Sequence, residues 1–179
     1  MAFIVLYLAN GPTSMTTVAL IGTLTSLVLT AALAWIFFKA AHFSGVADDE
    51  SAYLSVLTGK VDIRGLLLGG AIIGALGALD DMTVTQASAV YELRSASPAM
   101  SKPRLYRSAM RIGRDHVGST VNTLLLAYAG ASMPLLLLFV LSGQSLGTVA
   151  NTEVVAIEIV RTLVGSIGLV AAVPITTAL

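Results

Sequence analysis

Residues 65–91 read GLLLGGAIIGALGALDDMTVTQASAVY, and this stretch decides the fold. It opens on fifteen uncharged residues, meets two adjacent aspartates, Asp80 and Asp81, and continues to Tyr91 without another charge. At about 1.5 Å per residue, such a helix is long enough to cross a hydrocarbon layer roughly 30 Å thick. Three further runs have the same character, over residues 16–38, 117–141 and 155–178. Pro134 is placed to bend the third, and Pro174 lies near the end of the fourth.

Composition agrees with this reading. The chain of 179 residues is 56% hydrophobic and 11% charged, with a mean hydropathy of +0.87. A soluble domain carries roughly twice that share of charge. The fold expected is an all-α integral membrane protein. It is a bundle of about four transmembrane helices with a short cytoplasmic and a short outer amphipathic helix, forming one transmembrane domain over residues 1–179. Cysteine is absent, which excludes disulfides and thiolate metal sites. The N-terminus lacks the basic region of a signal peptide. Residues 1–10 are apolar but too short to span and are followed by Gly11-Pro12, so we expect the tail of an incomplete helix.

Charge placement predicts orientation. Six of the ten basic residues fall between Glu92 and Asp115, which puts that loop in the cytoplasm and the C-terminus on the same side. Within it Arg104, Arg107, Arg111 and Arg114 form a basic face suited to anionic lipid or a partner. No stacking surface accompanies them, so nucleic acid is not expected. Trp35, Phe37 and Phe38 gather beside Lys39 as interface anchors do. In the connection at residues 40–64, Asp48-Asp49-Glu50 precede an apolar stretch ending near Leu57 and Gly59, as at the start of a short interfacial helix. That trio is also the one acidic cluster resembling a calcium site, but helix-start acids are far commoner, and neither metal nor cofactor is expected.

Ionisable groups inside a span cost about 2.5–3.5 kcal/mol each at mid-membrane, so those present call for a reason. Gly70, Gly74, Gly77, Asp81, Thr85, Ser88 and Glu92 fall on one helical stripe, and the small residues there invite close approach of a neighbouring backbone. Asp81 is therefore expected in a helix contact, with Asp80 about 100° round the helix, beside Thr83. Two neighbouring carboxylates in low dielectric resist double ionisation, so the pair is a candidate proton relay. A buried ion pair with a basic residue is the structural alternative.

Thr85, Asn122 and Thr123 are the candidate hydrogen-bonding partners, and Arg161, the one basic residue within a span, the candidate counter-charge. Glu158 and Arg161 stand three apart and suit a structural pair. His116 is either an interfacial residue or a proton path toward the cytoplasm. An intramembrane aspartyl protease needs facing aspartates on different helices, and the other candidate, Asp115, lies at the boundary. Haem ligation would need His42 and His116 on one side of the membrane. An enzyme is therefore not expected.

The strings GALDDMTVTQASAVYELR, IGRDHVGSTVNTLLLAYAGASMPLLLLF and EIVRTLVGSIGLVAAVPITTAL resemble the YibE/F family of bacterial membrane proteins from about Thr17 onward. The resemblance implies a bacterial cytoplasmic membrane and further helices upstream more than it implies an activity. More loosely, Gly77-Ala78-Leu79-Asp80-Asp81 with the following Tyr91-Glu92-Leu93-Arg94 is similar to the fourth helix of RND-type proton-driven exporters. That likeness implies helices three to six of one half-permease. It departs in having no lysine in any span and no second half. The function expected is a membrane permease or transporter-like subunit, proton-coupled through the Asp pair, within a homo-oligomer, most simply a dimer. The alternative is a non-catalytic membrane subunit presenting its basic cytoplasmic helix to a partner or anionic lipid.

Overall fold

The computed structural model describes residues 2–46, 53, 54, 56 and 62–179, and these form helices joined by turns and loops, with no strand among the described residues. The helices are α1 (Ala2–Asn10), α2 (Ser14–Ala40), α3 (Ile63–Ala96), α4 (Lys102–Ala131), α5 (Met133–Leu141), α6 (Leu146–Ala150) and α7 (Glu153–Ala178). By length and composition α2, α3 and α7 can each cross a membrane, and α4 with α5, bent by 54° at Ser132, can form one further broken span. The acidic trio Asp48-Asp49-Glu50 and the end of the expected outer interfacial helix lie outside the described residues.

Helix α2 shows why these segments pack as they do. Its buried residues are Thr16, Ala19, Gly22, Thr23, Ser26, Thr30, Ala34 and Phe38, a stripe of mostly small or hydroxylated side chains. Ile21, Leu24, Val28 and Ile36 face outward. In water that pattern would be inside out. In lipid, large aliphatics gain nothing from burial, so helices meet through small residues whose backbones approach closely. Gly22 stands against Thr176 of α7, and Gly168 of α7 against Thr30. A side chain at either glycine would displace its neighbour.

Helices α2, α3 and α7 form a close triad, and α4 lies along α3 and α7. Leu79 and Met82 meet Leu169, Ala172 and Val173 at its centre, with Leu27, Met110, Val117 and Val121 around them. The end carrying the arginines of α4 is closed by Gln86, whose amide donates to Ala109 O at 3.1 Å and to Thr177 Oγ1 at 2.6 Å. Gly113 makes room for the Gln86 carboxamide. At the opposite end Glu153 clamps α7 to the turn after α2, accepting from Gly45 N at 2.9 Å and from Ser44 Oγ at 2.8 Å.

Two expectations differ in register. The basic segment and the third span are one continuous helix from Lys102 to Ala131, so no boundary separates residues 116 and 117. The chain also bends at Ser132, where Tyr128 O takes its bond from Ser132 N and Pro134 starts the next helix rather than kinking the first.

Candidate functional site

Asp80 and Asp81 lie near the middle of α3, with about 25 Å of helix on either side at 1.5 Å per residue. They point to different places. Asp80 turns toward α2, where Thr23 Oγ1 donates to its Oδ1 at 3.4 Å, a long contact. The same hydroxyl lies 2.5 Å from Thr83 Oγ1 and 3.0 Å from Ala19 O. Thr83 in turn reaches the Asp80 carbonyl at 3.1 Å. Both threonines are buried, Thr23 at 2% and Thr83 at 0% exposure.

Proton counting says what this cluster can do. Each hydroxyl has one proton and can accept as well. Thr23 and Thr83 share one contact, which occupies one of their two protons. The other cannot serve Ala19 O, Asp80 O and Asp80 Oδ1 at once. When Asp80 carries a proton, the carboxyl becomes a donor to Thr23, and the Thr23 proton is free for Ala19 O or Thr83. The cluster therefore holds either charge state by rotating hydroxyls, without moving a helix.

Asp81 turns toward α4. His116 Nε2 lies 3.8 Å from Asp81 Oδ2, close enough for an ion pair when the imidazole is protonated and too far for a hydrogen bond. Nε2 is buried and has no hydrogen-bond partner among the described residues. The pairing follows from the α3–α4 hairpin: Asp81 and His116 stand about equally far from the turn that joins the two helices. The Asp81 side chain is 70% exposed on the chain's own surface.

The small-residue stripe therefore differs from expectation. Gly70, Gly74 and Gly77 are exposed, and a Cβ added at any of them would meet nothing within 4 Å. Helix α3 uses its other face, through Ala71, Leu79, Met82, Thr83, Gln86 and Ala87. That face meets the threonine stripe of α2 and the core of α7, so Asp81 lies beside the helix contact rather than in it.

The other candidates are placed apart. Thr85 is half-buried, Asn122 and Thr123 are exposed, and none of them bonds to an aspartate among the described residues. Thr123 donates to Ser119 O at 3.0 Å. Asn122 and Thr123 lie past the level of Asp81, because α4 begins at Lys102 and its polar residues climb further than a span starting at residue 117 allows. Arg161 donates to Glu158 Oε1 at 2.8 Å and lines a space beside Ala71 and Ala75 that neither aspartate lines. Arg104, Arg107, Arg111 and Arg114 are exposed along one side of α4. No three His, Asp or Glu side chains converge as a metal site among the described residues.

Thr23 was not among the sequence candidates. Its signal was the spacing Thr16, Ala19, Thr23, Ser26, Thr30, which marks an inward face of small hydroxylated residues.

The model of one protein family, described as YibE/F-like protein, matches residues 1–179. No curated protein and no solved structure matches the chain.

Proposed function

We propose that this chain, which belongs to the YibE/F-like family, is a transporter-like membrane subunit that takes up and releases protons at Asp80 and Asp81. The observation that carries this reading is the Asp80–Thr23–Thr83 cluster, where buried hydroxyls can serve the carboxyl group in both its charge states. Asp81 adds a second carboxylate one residue on, with His116 as the titratable group facing it. On α2 the group that meets Asp80 is the Thr23 hydroxyl, which is uncharged. We place the protein in a bacterial cytoplasmic membrane, with the arginine-bearing end and the C-terminus inside, acting as a homo-oligomer and without enzymatic chemistry.

The test needs no substrate. The infrared carboxyl band of reconstituted protein is followed across pH and compared with Asp80→Asn and Asp81→Asn. A band that titrates near neutrality and disappears in one variant supports the relay. Absence of any such band down to mildly acidic pH sinks it.

A second reading has its own observation. The exposed row Arg104, Arg107, Arg111 and Arg114 suits a subunit that docks on anionic lipid or a partner. Charge reversal of that row would then abolish docking, while both aspartates could be replaced without effect.

A further inference from the structure

Arg161 is the one basic residue in α7, and it lies about 12 Å along that helix from Glu153 at 1.5 Å per residue. A guanidinium has five donors. One of them reaches Glu158 Oε1 at 2.8 Å, while Nε is buried with no acceptor among the described residues. The side chain lines a cavity of about 60 Å³ between α3, α4 and α7, and a smaller void of about 10 Å³ on the α2 side. Ala71, Ala75 and Gly165 keep both spaces open because none of them projects beyond a methyl group. The larger space admits several water-sized groups.

The polar lining points to a ligand class. Besides Arg161, the cavity presents the hydroxyl-bearing residues Thr162, Ser166 and Tyr128, and the rest of its wall is apolar. No acidic residue of α3 or α4 lines it. A charge-bearing side chain in this setting is expensive unless its donors are used. The planar fork of arginine matches an oxyanion with two acceptor oxygens. Glu158 takes one Nη of the guanidinium and leaves the edge that carries Nε open, where a single carboxylate can bind side-on. The apolar wall suits a short aliphatic tail.

We propose that the Arg161 cavity binds a small organic monocarboxylate. Its carboxylate sits on the guanidinium and the hydroxyls, and its tail lies among the apolar residues of α4 and α7. The site is separate from the aspartate pair and does not depend on the relay.

The test uses the full chain in nanodiscs of phosphatidylcholine, with carboxyl-¹³C butyrate as the probe, read by NMR and calorimetric titration. Saturable binding of one butyrate per chain is expected. Arg161→Gln should weaken it at least about tenfold, and Arg161→Lys should fail to restore it, because a point charge lacks the fork. Gly165→Leu fills the cavity while keeping Arg161, and should abolish binding with the thermal melt unchanged. That variant keeps the test decisive if Arg161→Gln does not fold. The absence of saturable butyrate binding, or its survival in Gly165→Leu, overturns the proposal. Displacement of butyrate when phosphatidylglycerol is added to the nanodiscs assigns the oxyanion site to a lipid headgroup, and also overturns it.

Discussion

His116 Nε2 stands 3.8 Å from Asp81 Oδ2, on the partner helix of the α3–α4 hairpin. A histidine that charge patterning puts at the membrane boundary thus shares a level with a carboxylate in mid-helix. This register is open to direct measurement, because the chain has no cysteine to interfere. The double variant Asp81→Cys/His116→Cys should be joined in high yield by a short thiol-reactive cross-linker. The pair Asp81→Cys/Thr123→Cys should not, since Thr123 lies about 10 Å further along α4. Equal yields would mean the hairpin is misregistered.

Thr23→Val keeps the shape of a buried side chain and removes its hydroxyl. Thr83 and Asp80 then lose a partner in a closed interior, which costs about 1–2 kcal/mol of stability. The carboxyl stretch of protonated Asp80 should also move to higher frequency, because it has lost the acceptor it donates to. Denaturant titration in detergent and infrared difference spectra measure both. An unshifted band would show that Thr23 does not address the carboxyl group.

Glycines on the two sides of the bundle should behave oppositely. Gly22→Leu and Gly168→Leu drive a side chain into Thr176 and Thr30 at the α2–α7 crossing. Overpacking of this kind costs about 1–3 kcal/mol or more. Gly74→Leu and Gly77→Leu meet open space within the chain. Their melts should match the parent for the monomer, and any loss confined to the oligomer would place a second copy on that face. Destabilisation of the monomer by Gly77→Leu would contradict the placement of α3.

These contrasts explain what could be read from residues alone. Hydropathy located α2, α3 and α7 within a few residues, because length and lack of charge suffice for a span. It could not say which face of α3 is inside. Gly70, Gly74 and Gly77 make as good a small-residue stripe as Thr16, Ala19, Thr23 and Ser26, and only the partner's shape chooses between them. The Glu158–Arg161 pair was legible because it is local, three residues apart on one helix. Thr23 with Asp80 was not, since their meeting depends on how α2 and α3 are registered across a connection longer than twenty residues. Asn122 and Thr123 were misplaced for a related reason. Assuming that the third span starts where the charges stop put α4 out of step with α3 by several residues.

The clamp at the opposite end supplies the sharpest test of how α7 is held. Gly45 has φ +83°, in the left-handed region, and a Cβ there would crowd Ile63 and Arg64 at about 3.1 Å. In that conformation its amide donates to Glu153 Oε1 at 2.9 Å. Gly45→Ala should therefore cost about 1–2 kcal/mol from the backbone alone, and more from the contact with α3. Glu153→Ala removes the acceptor for Gly45 N and Ser44 Oγ together. If the glycine's conformation exists to serve the carboxylate, the two losses share one interaction. The double variant should then be less destabilised than the sum of the singles, by about 0.5–3 kcal/mol. Strict additivity in chemical denaturation would separate them, leaving Gly45 as a requirement of the turn alone.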